Sequence, residues 1–64
     1  MNRFVEIYDS DKGQVLLHVD SVEYLDTGHY GTYIHLISGG YVTDKRSMQE
    51  IADLLSDHNI QEQP

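Results

Sequence analysis

The stretch from Thr32 to Thr43 constrains the fold most. Thr32-Tyr33-Ile34-His35-Leu36-Ile37-Ser38 is a run of β-branched, aromatic and apolar residues leading into Gly39-Gly40, and Tyr41-Val42-Thr43 follows. Two β-prone runs on either side of paired glycines predict a hairpin, because a two-residue turn of the primed type needs positive φ. Alternation along the hairpin sets Ile34 and Leu36 on one face. It leaves Tyr33, His35, Ile37 and Val42 for the other.

The remaining elements fall around this hairpin. Phe4 to Tyr8 reads as a first strand and Asp9 to Gly13 as a turn cluster. Gln14 to Val19 reads as a second strand, apolar on both faces, as for a strand central in a sheet or covered by a partner. Asp20-Ser21 is a corner, Val22 to Leu25 a short third strand or edge segment, and Asp26 to Gly31 the one longer loop. Ser47-Met48-Gln49-Glu50 has the form of a capping box, and Met48, Ile51, Ala52, Leu54 and Leu55 recur at helical spacing behind it. Glu50, Asp53 and Asp57 make an acidic stripe on that helix. Asn59 is a candidate left-handed cap with Ile60 folding back, and Gln61 to Pro64 should fray. The expected architecture is α+β: a small antiparallel sheet of four to five short strands followed by one C-terminal amphipathic helix, in a single domain over residues 1–60.

A chain of 64 residues has difficulty stabilising itself. It buries only about 60% of the surface its unfolded form exposes, and small domains usually add a disulfide, a metal or self-association. Cysteine is absent, so disulfides and thiolate metal sites are excluded. One helix covers one face of a sheet. The face carrying Ile37 and Val42 is therefore expected to be an oligomer interface, and the protein a homo-oligomer.

Eleven acidic residues against four basic ones give a net charge of −7. Nucleic-acid binding draws on lysine and arginine neutralising phosphates, so neither DNA nor an anionic membrane surface is an expected partner. Acidic residues interrupt the N-terminal segment, and no apolar run approaches the ~20 residues of a membrane span. The expectation is a cytoplasmic protein.

Three groups of residues bear on function. The histidines His18, His29, His35 and His58 show no ligand spacing, so no metal is expected and no cofactor is implied. Tyr24, Tyr30, Tyr33 and Tyr41, with His29 and His35, gather around the hairpin and its loop. Lys45 and Arg46, and Arg3 beyond them, are available as charges. Tyrosines beside glycines suit either stacking on a ring-bearing ligand or a subunit contact. Third, Asp9, Asp11, Asp20, Glu23, Asp26, Asp44, Glu50, Asp53 and Asp57 form an expected acidic surface. No nucleophile elbow or cysteine is present. The carboxylates of Asp9 and Asp11 are read as turn residues with no pocket to shift them, so the chain is expected not to be an enzyme.

The succession His18-Val19-Asp20-Ser21-Val22-Glu23-Tyr24-Leu25, Tyr33-Ile34-His35-Leu36 with Gly39-Gly40, and Ser47-Met48-Gln49-Glu50-Ile51 with Leu54-Leu55 resembles the FlbD-like small bacterial and phage proteins. It is also similar to the core of LytTR-type DNA-binding domains, although only Lys45-Arg46 stands where those domains place basic residues. The resemblance spans Val15 to Leu55. It implies a phage- or mobile-element-type accessory factor that binds and inhibits or modulates a host protein. An oligomer that sequesters a nucleotide-type signalling molecule, in an anti-defence role, is the alternative, with LytTR-like DNA binding third.

Overall fold

The computed structural model describes residues 3–61, with side chains described for residues 3–56. Over these residues the chain runs β1 (Phe4–Asp9), β2 (Gly13–His18), a 3-10 turn (Val19–Ser21), β3 (Val22–Thr27), β4 (Thr32–Leu36), β5 (Tyr41–Asp44) and α1 (Met48–Gln61). This is the expected α+β class. The strands divide between two antiparallel sheets, β1–β2 and β3–β4–β5.

In β1 the alternation of Phe-Val-Glu-Ile-Tyr-Asp is strict, with Val5, Ile7 and Asp9 buried and their neighbours exposed. In β2 Leu17 faces the core, while Leu16 keeps 66% of its surface in water. β2 is thus the free edge of a two-stranded sheet rather than a central strand, and its second apolar face is uncovered. Val5, Ile7, Leu17, Ile34, Val42 and Ile51 form the buried cluster, with Val19, Val22, Leu25, Leu36, Leu54 and Leu55 packed around it. Both sheets and the helix therefore share one core.

The hairpin differs from expectation in its turn. Leu36 N donates to Gly40 O, and Gly39 N donates back to Leu36 O, both at 2.9 Å. The loop is therefore three residues, Ile37-Ser38-Gly39. Of the two glycines only Gly39 has positive φ, at 109°, so the primed turn that needs two such residues does not form. Ile37 ends up at the hairpin tip, 66% exposed, rather than on a sheet face. Val42 is a direct correction. It pairs with Ile34, and directly opposed residues share a face, so Val42 points into the core and is only 5% exposed. It cannot serve an interface between subunits.

A register shift between Val22 and Tyr24 gives β3 its faces. Two residues apart, these side chains would share a face on a regular strand. With the bulge, Val22 joins Leu36 on the inner side while Tyr24 opposes His35 on the outer side.

The capping box forms as expected: Ser47 Oγ accepts from Glu50 N at 3.2 Å, and Glu50 Oε1 accepts from Ser47 N at 2.9 Å. Ser47→Ala should lower stability by about 1 kcal/mol, read as a drop in urea midpoint with an unchanged slope. The expected left-handed cap at Asn59, with Ile60 folding back, lies outside the residues whose side chains are described. The side chains of Asp57, His58 and Ile60, and the expected fraying beyond Gln61, lie outside the described residues. Arg3 reaches across from the other end of the chain, donating to Leu55 O at 3.1 Å and Leu54 O at 3.3 Å. No helix among the described residues is long and apolar enough to cross a membrane.

Candidate functional site

The two sheets meet along β1 and β5, and side chains make the seam. Asp9 Oδ1 accepts from Thr43 N at 2.7 Å, and Asp44 Oδ2 accepts from Tyr8 N at 3.0 Å. Each carboxylate thus stands in for the backbone carbonyl that a continuous ladder would have supplied. The Thr43 hydroxyl accepts from Ser10 N at 3.1 Å and lies 3.3 Å from Asp9 Oδ1. Asp9 Oδ2 takes the amides of Asp11 and Lys12 at 2.9 Å and so shapes the β1–β2 turn.

Arg46 locks the other end. Its Nε and Nη2 hold the two oxygens of Asp44 at 2.9 Å, and Nη2 also reaches Glu6 O at 3.0 Å. Asp9 and Asp44 are 8% and 2% exposed, which removes both from the expected acidic surface.

The protonation of these carboxyls follows from their partners. For Asp9 the Thr43 and Lys12 amides outweigh burial and pull its pKa from 3.8 to about 2. Asp9 therefore departs from the expectation that nothing near it would shift it. For Asp44 burial pushes up, but the Arg46 side chain and the amides of Tyr8 and Arg46 bring it down to about 2 as well. Both are fixed anions. A general acid or base near neutrality needs the opposite displacement.

On the outer face of β3–β4–β5 four rings run across the strands. Tyr24 stacks on His35 with centroids 4.2 Å apart and planes 7° from parallel. His35 lies 5.8 Å from Tyr41, and Tyr41 lies 5.3 Å from Tyr33. The pairing of Tyr24 with His35 and of His35 with Tyr41 produces this row directly. Tyr24 and Tyr41 are each about half exposed, at 52% and 53%. His35 Nε2 is buried without a hydrogen bond, and a carboxylate oxygen of Asp26 lies 3.9 Å away.

Beside this row opens a cleft of about 350 Å³. Tyr30, Tyr33 and Tyr41 line it together with Thr43 and the Asp9–Lys12 turn. The structure thus gathers five of the expected site residues, Tyr24, Tyr30, Tyr33, His35 and Tyr41, into one continuous surface. It does not bring in the other three. His29 is exposed in the loop and does not line the cleft; nor does the exposed Lys45. Arg46 is bound to Asp44 and lines a separate shallow pocket with Glu50, Asp53 and Leu54.

The Asp9–Lys12 turn is the part that sequence reasoning missed. Its composition is that of an ordinary solvated turn, and only the non-local approach of β1 to β5 carries it to the tyrosines. No protein-family model matches the chain, and neither the curated proteins nor the solved structures yield a match.

Proposed function

We propose that this chain is a non-enzymatic interaction module that binds and modulates another protein through the outer face of β3–β4–β5. The observation that carries the reading is the row Tyr24, His35, Tyr41 and Tyr33, ring against ring across three strands, with Tyr24 and Tyr41 half open to water. Interface centres are rich in tyrosine, whose large rigid ring adds contact area with little loss of conformational freedom. Exposed Glu23 and Asp26 sit on the same sheet, and the chain carries −7 overall, so the partner best fitted to this face has a basic rim around an apolar centre. The two buried carboxylates support the non-catalytic part of the reading, since both are held as structural anions. The nucleotide-sequestering alternative loses its main cation, because Arg46 is committed to Asp44 and Glu6.

The test is to isolate the partner by affinity capture and then titrate the purified complex. Tyr24→Ser should weaken binding about tenfold or more, as for an interface anchor, and added salt should weaken it further. Leu16→Ser, on the outer face of the other sheet, should leave it unchanged. Loss in Leu16→Ser with retention in Tyr24→Ser would move the interface to β1–β2 and end the proposal. Light scattering on the same samples tests self-association: a dimer that dissociates in Tyr24→Ser would assign the face to a second copy.

A further inference from the structure

Resting on that reading, we infer that the cleft between the β1–β2 turn and the tyrosines is a cation pocket that receives an arginine or lysine side chain of the partner. Three observations converge there. Tyr30, Tyr33 and Tyr41 contribute to the lining, and an aromatic ring attracts a cation through its quadrupole. The charged groups on the lining are two carboxylates, Asp9 and Asp11, against one ammonium, Lys12.

Asp9 is the unusual one. Its oxygens are occupied by the Thr43, Asp11 and Lys12 amides, so it supplies a permanent negative field without offering itself for contact. Asp11 is exposed and its carboxylate remains to form the direct ion pair. The dimensions agree with this occupant: a guanidinium on its alkyl stem fits a cleft of about 350 Å³ that is open at one side. A phosphate is disfavoured, since it would meet two carboxylates and one lysine. The cleft also adjoins the exposed row through Tyr33 and Tyr41, so a partner seated on the face would present a basic side chain to it directly.

The probe is Nα-acetyl-arginine amide (arginine amide below), followed by amide chemical shifts of the nitrogen-15 labelled protein, with Nα-acetyl-citrulline amide (citrulline amide below) as the uncharged analogue of the same shape. Arginine amide should give saturable shifts confined to the amides of Ser10, Asp11, Lys12, Tyr30, Tyr33, Tyr41 and Thr43. Citrulline amide, Asp11→Asn and Tyr30→Leu should each weaken binding about tenfold, the scale of a partly desolvated cation–π and ion-pair contact. The spectra of the variants report directly whether each is folded. Leu16→Ser lies outside the cleft, on the outer face of the other sheet, and should bind arginine amide as the wild type does. Equal binding of citrulline amide, shifts spread over Asp20, Glu23 and Asp53, or tighter binding of adenosine monophosphate would each overturn the inference. If Tyr24→Ser loses the partner while Asp11→Asn and Tyr30→Leu keep it at full affinity, the docking face stands and the cation pocket falls.

Discussion

Asp44→Ala is expected to be among the most destabilising single substitutions in this chain, by about 3 kcal/mol, the scale of leaving several donors to a buried carboxylate unpaired. The side chain is 2% exposed and accepts from Tyr8 N, Arg46 N, Arg46 Nε and Arg46 Nη2. Alanine takes this acceptor from all four donors, one of which, Tyr8 N, crosses the seam between the sheets. A domain of 64 residues has on the order of 3–10 kcal/mol in total, so the variant should be partly or wholly unfolded at 25 °C. Circular dichroism during urea titration reads this directly. Asp44→Asn should recover only part of the loss, because it keeps the shape but leaves the Arg46 guanidinium without its counter-charge.

The same carboxylates set the response to acid. Their folded pKa of about 2 lies below the ordinary 3.8, so deprotonation is favoured by folding. The stability they contribute is fully present above about pH 4 and is lost as pH falls from there toward 2, about 2 kcal/mol for Asp44 alone. A plot of unfolding free energy against pH should be level near neutrality and slope steeply in that window. In Asp44→Asn the slope should be visibly reduced. An unchanged slope would mean that Asp44 is not the titrating group.

Gly31→Ala is the second large effect. Gly31 has φ of 151°, which side-chain-bearing residues avoid, and an added Cβ there would strike the backbone of Asp44 and Lys45. Backbone cannot swing aside as a side-chain end does. A loss of about 2–4 kcal/mol is expected from the combined strain and clash. The loop it closes, with Gly28 N donating to Gly31 O at 2.9 Å, carries Tyr30 and leads into Tyr33. Gly31→Ala should therefore also weaken arginine amide binding in whatever fraction stays folded. Gly40→Ala, with open space around the added Cβ and no positive φ, should be close to neutral and is the control.

Local signals were legible where they depend on neighbours in the chain. The first strand from Phe4 and the Ser47–Glu50 box each rest on residues a few positions apart, and each appears as expected. The face assignment of Val42 failed for a comparable local reason. Moving from two turn residues to three shifts the register across the hairpin, and with a side-chain period of two such a shift exchanges the faces. The Val22–Tyr24 bulge was equally hidden, since Val-Glu-Tyr-Leu satisfies either face until Leu36 and His35 are opposite it. Of the candidate site, the tyrosines and His35 were visible as a cluster because they lie within or beside one hairpin. Lys12 and Asp11 were not visible as part of it.

By itself, then, the order of residues determined the element sequence, the amphipathic helix, the absence of disulfide support and an acidic molecule with its aromatic residues concentrated near one hairpin. These follow from propensity, spacing and charge, which need no knowledge of distant neighbours. The division into two sheets, the burial of Asp9 and Asp44, the engagement of Arg46 by Asp44 and the cleft beside the tyrosines were decided only in three dimensions. All four arise where β1 meets β5, more than thirty residues apart in the chain. There a carboxylate's partner, and so its charge and role, is set by what the fold brings beside it.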